Sequence, residues 1–245
     1  MKVIISGYGR MGKVVEQVCH ERGHSVVGVW NSASDREKTP SFPADSVVID
    51  FSLPESAVEN FLFCFQKQIP VVTGTTGWYS QLPEVKKMVK KFKGTLFYAP
   101  NFSLGVNVFF QLNRLFAKLM YSLTGYRVSV REIHHVHKLD APSGTAIQIA
   151  EDILQIFPEL KSWQNTENVP DDILPVISVR QDEVPGTHEV VYDSDSDQLS
   201  IRHEAKNRKG FALGAVLAAE FIQDKTGIFT MRDFLMARGL PEEAF

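Results

Sequence analysis

The chain has little cysteine, no excess of charge of either sign and no long apolar run. Two cysteines in 245 residues, Cys19 and Cys64, are too few for a disulfide scaffold. Both fall in stretches with helical periodicity. Twenty-six Lys and Arg against 29 Asp and Glu leave a net charge of −3, which gives no general attraction to nucleic acid or to an anionic membrane. The apolar start Val3-Ile4-Ile5 stops at Ser6-Gly7, too short for a signal-peptide core. The most apolar later stretch, Phe211 to Ile222, is short and carries Glu220, so it predicts no bilayer span. What is present is an average globular mixture, 44% hydrophobic and 22% charged, with enough apolar side chain to bury a core. The expectation is a soluble, cytoplasmic protein with neither nucleic acid nor membrane as a partner.

The first half alternates short apolar runs with longer amphipathic ones. Val3–Ile5, Val26–Trp30, Val47–Phe51, Ile69–Thr73 and Thr95–Tyr98 read as strands, and Lys13–Arg22, Glu55–Lys67 and Gln81–Phe92 as helices. Pro54 opens the second of these helices, with Ser52 as a cap. This rhythm predicts an α/β architecture with a Rossmann-type, doubly wound parallel sheet. The polar stretch Asn31–Asp45 reads as a surface connection. After Asn101 the rhythm changes: a long amphipathic helix (Gly105–Leu123), a long strand (Tyr126–Val136), a helix (Thr145–Phe157), then three strand-like runs, Val176–Gln181, His188–Asp193 and Leu199–His203. Pro185-Gly186 and Ser194-Asp195-Ser196-Asp197 supply turns between the last three. That predicts a second α+β domain with a mixed or antiparallel sheet, spanning 104–208. The first domain is then 1–103 together with 209–245, where helices at Phe211–Gln223 and Met231–Met236 pack back on it.

Gly7-Tyr8-Gly9-Arg10-Met11-Gly12 lies between a predicted strand and a predicted helix. Gly7 suits the tight turn, Gly9 a close approach of backbone to a pyrophosphate, and Gly12 close helix–strand packing. The pyrophosphate would sit on open N–H groups at a helix N-terminus. The acidic residue expected about 20 positions on is missing. Asn31 and Ser32 stand there instead, able to hydrogen-bond a ribose hydroxyl without repelling a 2′-phosphate. Arg36 and Lys38 are either phosphate partners or ordinary loop residues. Thr73-Gly74-Thr75-Thr76-Gly77 and Ala99-Pro100-Asn101-Phe102 end two further strands, where open α/β sheets bind ligands.

The densest signal is Glu132-Ile133-His134-His135-Val136-His137-Lys138-Leu139-Asp140-Ala141-Pro142-Ser143-Gly144-Thr145, which holds three of the seven histidines. Along a strand, His134 and Val136 share one face and His135 and His137 the other. Imidazoles, Lys138, the N–H groups of Gly144 and Thr145 and, from further on, Arg208 make a cationic pocket suited to a small dianion. Two other readings compete: a zinc site on His135, His137 and Asp140, and a solvated basic loop. His20, His24, His188 and His203 carry no signal singly.

With these residues in view, the chain resembles the 4-hydroxy-tetrahydrodipicolinate (dihydrodipicolinate) reductase family of the bacterial diaminopimelate and lysine pathway. The resemblance runs from Gly7 to about Leu235. Its most specific element is Glu132-x-His-His-x-x-Lys-x-Asp-Ala-Pro-Ser-Gly-Thr-Ala146, supported by Asp50-Phe51-Ser52-x-Pro54, Gly74-Thr75-Thr76-Gly77, Asn101-Phe102-Ser103-x-Gly105-Val106-Asn107 and His203-x-Ala205-x-x-Arg208. It implies that His134 is the catalytic donor/acceptor and Lys138 the proton donor, with no metal. It puts His135, Gly144 and Thr145 on a dicarboxylate substrate. Gly7, Tyr8, Gly9, Arg10, Met11 and Gly12, with Gly74, Thr75, Thr76, Ala99, Pro100, Asn101 and Phe102, fall to the cofactor. The family reduces a cyclic dicarboxylic imine to tetrahydrodipicolinate with NADH or NADPH, and it is homotetrameric through the sheet of its second domain. Here the glycine turn is one residue tighter than is common in the family, and Asn31 replaces a frequent acid, so either coenzyme is expected. The rival functions are a metal-dependent hydrolase and a nicotinamide-sensing binding protein without turnover.

Overall fold

A computed structural model describes residues 1–39 and 42–240. Residues 40 and 41 of the Asn31–Asp45 connection and residues 241–245 of the expected first domain lie outside the described residues. In chain order the elements are β1 (Lys2–Ser6), α1 (Arg10–Glu21), β2 (Ser25–Trp30), α2 (Ala33–Glu37), β3 (Ser46–Asp50), α3 (Pro54–Gln66), β4 (Val71–Thr73), α4 (Leu82–Phe92), β5 (Thr95–Tyr98), α5 (Leu104–Tyr121) and β6 (Arg127–His134). They continue with α6 (Gly144–Leu154), β7 (Ser162–Gln164), β8 (Ile173–Arg180), β9 (Thr187–Asp193), β10 (Gln198–Glu204), α7 (Lys209–Ile222), β11 (Gly227–Phe229) and α8 (Met231–Met236). No described helix is long and apolar enough to cross a membrane. The chain divides into two compact units, Met1–Leu104 with the chain from Arg208, and Gly105–Asn207.

The first unit is a six-stranded parallel sheet in the order β11-β5-β4-β3-β1-β2. Its central strand β3 reads Ser-Val-Val-Ile-Asp with every residue buried, the signature of a strand covered by helices on both faces. Helix α3 buries Ala57, Asn60, Phe61, Cys64 and Phe65, one stripe at helical spacing. Pro54 occupies the first turn as expected, but the cap residue is Leu53 and no side chain caps the helix, so Ser52 does not serve there. Alanine-rich α7 lies close to the chain: a Cβ on Gly214 would stand 1.8 Å from the Phe102 carbonyl oxygen. Strand β11, three residues long, escapes the sequence reading because its identity comes from pairing with β5 rather than from its own pattern.

The second unit is a mixed sheet in the order β10-β9-β6-β8-β7. β6 runs antiparallel to β9 and parallel to β8. Along β6, Val128, Val130, Glu132 and His134 are all buried, so the period-2 face that feeds the core ends in two ionisable groups. Ala146, Ile149, Ala150 and Ile153 of α6 join Val128, Val130, Val176, Val190 and Tyr192 in that core. Short β7 is again held by its partner, β8.

Candidate active site

In the first sheet the chain leaves β1 toward β2 on one side, while β3, β4 and β5 continue on the other. A crevice outside the carboxyl ends at such a reversal is where open α/β sheets take ligands. A cleft of about 320 Å³ lies there, its walls including Ser6, Gly7, Tyr8, Gly9, Asn31, Ser32 and Ser52. Gly7 has φ +85°, and a Cβ on it would stand 2.3 Å from the Phe51 carbonyl oxygen, so only glycine fits. Gly9 caps α1 without any side-chain bond, and the space where its Cβ would be is open. The first N–H groups of α1 are thus left for an anion, and the site fits a dinucleotide pyrophosphate. Arg10 and Met11 open the helix, and Gly12 packs against the Gly7 carbonyl.

Asn31 is exposed, yet its side-chain oxygen accepts the Tyr8 N–H at 3.1 Å while its own N–H donates to Asp35 at 2.9 Å. Ser32 caps α2 by accepting the Asp35 N–H at 3.2 Å. The Tyr8 hydroxyl bonds to Glu16 on α1. Arg36 corrects the reading of Asn31–Asp45 as a surface connection. It is buried, donates to Asn60 at 2.9 Å and Glu59 at 2.7 Å, and stacks over the Phe63 ring at 5.1 Å. Lys38 remains exposed.

A residue without an expected role sits below these loops. Asp50, fully buried at the end of β3, accepts the Thr73 hydroxyl at 2.9 Å, the Thr75 hydroxyl at 2.8 Å and the Asn60 amide at 3.4 Å. Asn60 also donates to Ser6 at 3.2 Å, so one buried carboxylate ties the ends of three strands together. Gly74 follows β4 so closely packed that a Cβ would strike the Phe51 ring at 2.2 Å. The Ala99 N–H donates to the Thr73 carbonyl at 3.3 Å, which sets the two strand-end segments side by side. In them Thr76 and Pro100 are exposed, Ala99 and Phe102 buried, and Asn101 accepts the Ser103 N–H at 2.9 Å.

The second unit gathers the histidine segment. β6 stops at His134 and a turn follows, so Val136 and His137 do not extend the strand faces as expected. Register sets His134 opposite Arg180, and Glu132 opposite both His188 and Ser178. Directly opposed residues share a face, so these groups cluster. Glu132 is fully buried; its Oε1 accepts the Ser143 N–H at 3.1 Å and Arg180 at 3.2 Å, and its Oε2 lies 3.0 Å from His134 Nδ1. Burial alone would raise the Glu132 carboxyl, but the His134 ring and the Ser143 donor outweigh it and hold the group well below the usual carboxylate range. Burial, helped by the nearby His134, pushes His188 down to about 3 although Glu132 opposes the shift, so the ring is neutral. Its Nε2 meets the Ser143 hydroxyl at 3.2 Å.

Lys138 lies on the loop after β6, its Nζ 2.8 and 2.9 Å from the two Asp140 carboxylate oxygens. Ser143 caps α6 by accepting the Ala146 N–H at 3.2 Å. Gly144 is exposed at the helix start; Thr145 and His135 are half-buried. Arg208 is exposed at the cap of α7. The cation that meets Glu132 is Arg180, which the sequence reading missed, together with the role of Glu132 and the place of His188.

The zinc reading also changes place. His137 pairs with Glu183 at 3.3 Å and Asp140 with Lys138. Among the described residues the ligand atoms that converge are those of Glu132, His134 and His188, within 4.8 Å of one another. Arg180 already supplies positive charge to that carboxylate.

Comparison with known proteins accords with both halves. Residues 1–102 match the family model for the dihydrodipicolinate reductase N-terminus, and residues 105–235 the model for its C-terminus. A 4-hydroxy-tetrahydrodipicolinate reductase of Christiangramia forsetii is 48% identical over 235 residues, covering 96% of this chain and 98% of the relative. One from Archaeoglobus fulgidus is 33% identical over 96% of this chain and all (100%) of its own. For the fold, a dipicolinate-bound dihydrodipicolinate reductase from Paenisporosarcina sp. TG-14 superposes with a TM-score of 0.70 at 24% identity, over 94% of this chain and 97% of the other. With both family models matched in order and a close relative aligned nearly end to end, the chain belongs to the dihydrodipicolinate reductase family.

Proposed function

We propose that this protein reduces 4-hydroxy-tetrahydrodipicolinate, a cyclic dicarboxylic imine precursor, to tetrahydrodipicolinate with NADH or NADPH, with loss of water overall. The observation that carries this reading is the meeting of Lys138, a Glu132–His134–Arg180 cluster and the capped start of α6 around the loop that joins β6 to α6. The first unit holds the dinucleotide: Gly7–Gly12 take the pyrophosphate, Asn31 and Ser32 the adenosine ribose, and Gly74–Thr76 with Ala99–Phe102 the nicotinamide half. Bound dihydronicotinamide supplies the hydride. Lys138 delivers the proton to the carbon that gains negative charge, a contribution worth about 10²–10⁴-fold in rate. Its ammonium has three donors, so the Asp140 pair leaves donors for substrate. His134, buried against Glu132, is the alternative donor for that proton. The N–H groups of Gly144 and Thr145, with His135, take a carboxylate, worth roughly 0.3–1 kcal/mol from the helix terminus alone.

Pyridine-2,6-dicarboxylate, a planar dianion with the product's ring skeleton, tests this site. Inhibition competitive with substrate is expected, and indifference to EDTA. Equal inhibition by both compounds, reversed by zinc, would favour a metal hydrolase built on Glu132, His134 and His188. Self-association through the second unit, as a homotetramer in the cytoplasm, is part of the same reading. Edge strand β10 carries exposed Leu199, and α5 an exposed stripe of Val108, Leu112, Leu115 and Leu119, apolar surface of a kind that marks interfaces. Sedimentation should give four chains per particle; a monomer at micromolar concentration would reject it.

A further inference from the structure

We propose that Arg180 and Glu132 are positioning residues that fix the proton-donor loop against the start of α6. The proposal rests on the reading of Lys138 as donor and Gly144–Thr145 as the carboxylate site. One Arg180 nitrogen, Nη2, donates both to the Asp140 carbonyl oxygen at 2.6 Å and to Glu132 Oε1 at 3.2 Å. Asp140 holds Lys138 through its carboxylate. The same Glu132 oxygen accepts the N–H of Ser143, the residue that caps α6. A single nitrogen and a single oxygen thus join Lys138, by way of Asp140, to the helix terminus, by way of Ser143.

The sheet prepares this link. Arg180 is the last residue of β8 and lies opposite His134 at the end of β6, while Glu132 is two residues back on the same face. Strand pairing ends there, and the loop beyond is held at Val136, whose N–H reaches the Asp182 carbonyl at 3.1 Å. His188, opposite Glu132, is neutral, so it does not replace the charge that Arg180 provides. A buried carboxylate stripped of its cation is poorly solvated and pulls its remaining donors out of place. The arginine side chain is one-fifth exposed and at a strand end, so its loss should spare the core while loosening the loop.

The test compares Arg180→Ala and Arg180→Lys in the full-length protein. A displacement of about 1 Å at a proton donor costs on the order of a hundredfold, so Arg180→Ala should lose about that in kcat and bind pyridine-2,6-dicarboxylate more weakly. NADH affinity should stay within about twofold, because the dinucleotide cleft is in the other unit. Since one nitrogen makes both contacts, Arg180→Lys should recover about tenfold of the loss. Backbone hydrogen exchange supplies a readout that does not depend on turnover: residues 135–143 should exchange about tenfold faster in Arg180→Ala while β6 and β9 are unchanged. Loop exchange at the wild-type rate, kcat within about threefold of wild type, or equal impairment of the two variants would overturn the proposal. A wild-type protein that neither oxidises NADH nor binds the pyridine acid would instead reject the reductase reading, with loop exchange still deciding the brace.

Discussion

The nucleotide cleft and the histidine cluster are built in opposite ways. The cleft is made of what is missing: no Cβ at Gly7, no side-chain cap bond on α1, no side chain at Gly9. The ligand contacts proposed for it are backbone N–H groups, prepared by a local run of six residues. The cluster is made of what is packed in: Glu132, His134, Arg180 and His188, drawn from three strands and set face to face by register. A backbone site tolerates side-chain change but no added volume. A charge cluster tolerates volume but not the loss of a partner. The two regions should therefore fail under different substitutions.

The largest effect is expected at Gly7. Gly7→Ala drives a Cβ into the Phe51 carbonyl at a φ of +85°, a backbone collision that no side-chain rotation relieves. Dinucleotide binding should vanish, measured by quenching of NADH fluorescence, while pyridine-2,6-dicarboxylate still binds. Retained NADH affinity would show that the glycine turn is not the pyrophosphate site. Next comes Lys138→Ala, which removes the proposed proton donor and leaves the cleft untouched. kcat should fall by about 10²–10⁴-fold with coenzyme affinity unchanged. Unaltered kcat would move the donor to His134; lost coenzyme affinity would place Lys138 in the nucleotide site.

Acid should separate the regions more gently. His188 sits at about 3 when folded against an ordinary 6.5, a depressed value, so its contribution to stability is complete above the unfolded value and drains away as pH falls through the window. Glu132, also depressed, adds a loss beginning lower, below its ordinary 4.5. The stability of the second unit, followed by melting at Trp163, should therefore fall as pH drops from about 6.5 toward about 3, and His188→Gln should flatten that slope. An equal slope in the variant would assign the acid sensitivity elsewhere.

How much of this was legible in the sequence follows from the same contrast. Gly7–Gly12 is a contiguous pattern flanked by a strand and a helix, so its place in the fold could be read directly. The segment from Glu132 to Thr145 was legible as a concentration of chemistry, and as a family signature, but not as a geometry. Arg180 is 48 positions from the carboxylate it meets, and only the pairing of β6 with β8 brings them together. His188 reads as one more isolated histidine until β9 sets it opposite Glu132. Arg36 looked like a loop residue because nothing local announces that Glu59 and Asn60 of α3 will receive it. Strands β7 and β11 are three residues each, below the length at which alternation carries information. Patterns carried by one segment survive in the sequence; partnerships between segments wait for the fold.

The smallest effect concerns the coenzyme. Asn31 and Ser32, the proposed ribose partners, carry no charge, and Arg36 is engaged with Glu59 and Asn60. NADH and NADPH should then support turnover within about tenfold of each other, a gap of roughly 1.4 kcal/mol. A preference above about a hundredfold either way would show that a residue other than these reads the 2′ position.

The central claim is that the two regions serve one hydride transfer. It is tested most directly by following the dihydronicotinamide absorbance while the hydroxylated cyclic imine is generated enzymatically in the same cuvette. The account predicts a loss of absorbance that requires both the imine and the protein, proceeds with either coenzyme, and continues in EDTA. Coenzyme that binds but is never oxidised when the imine is present would contradict it.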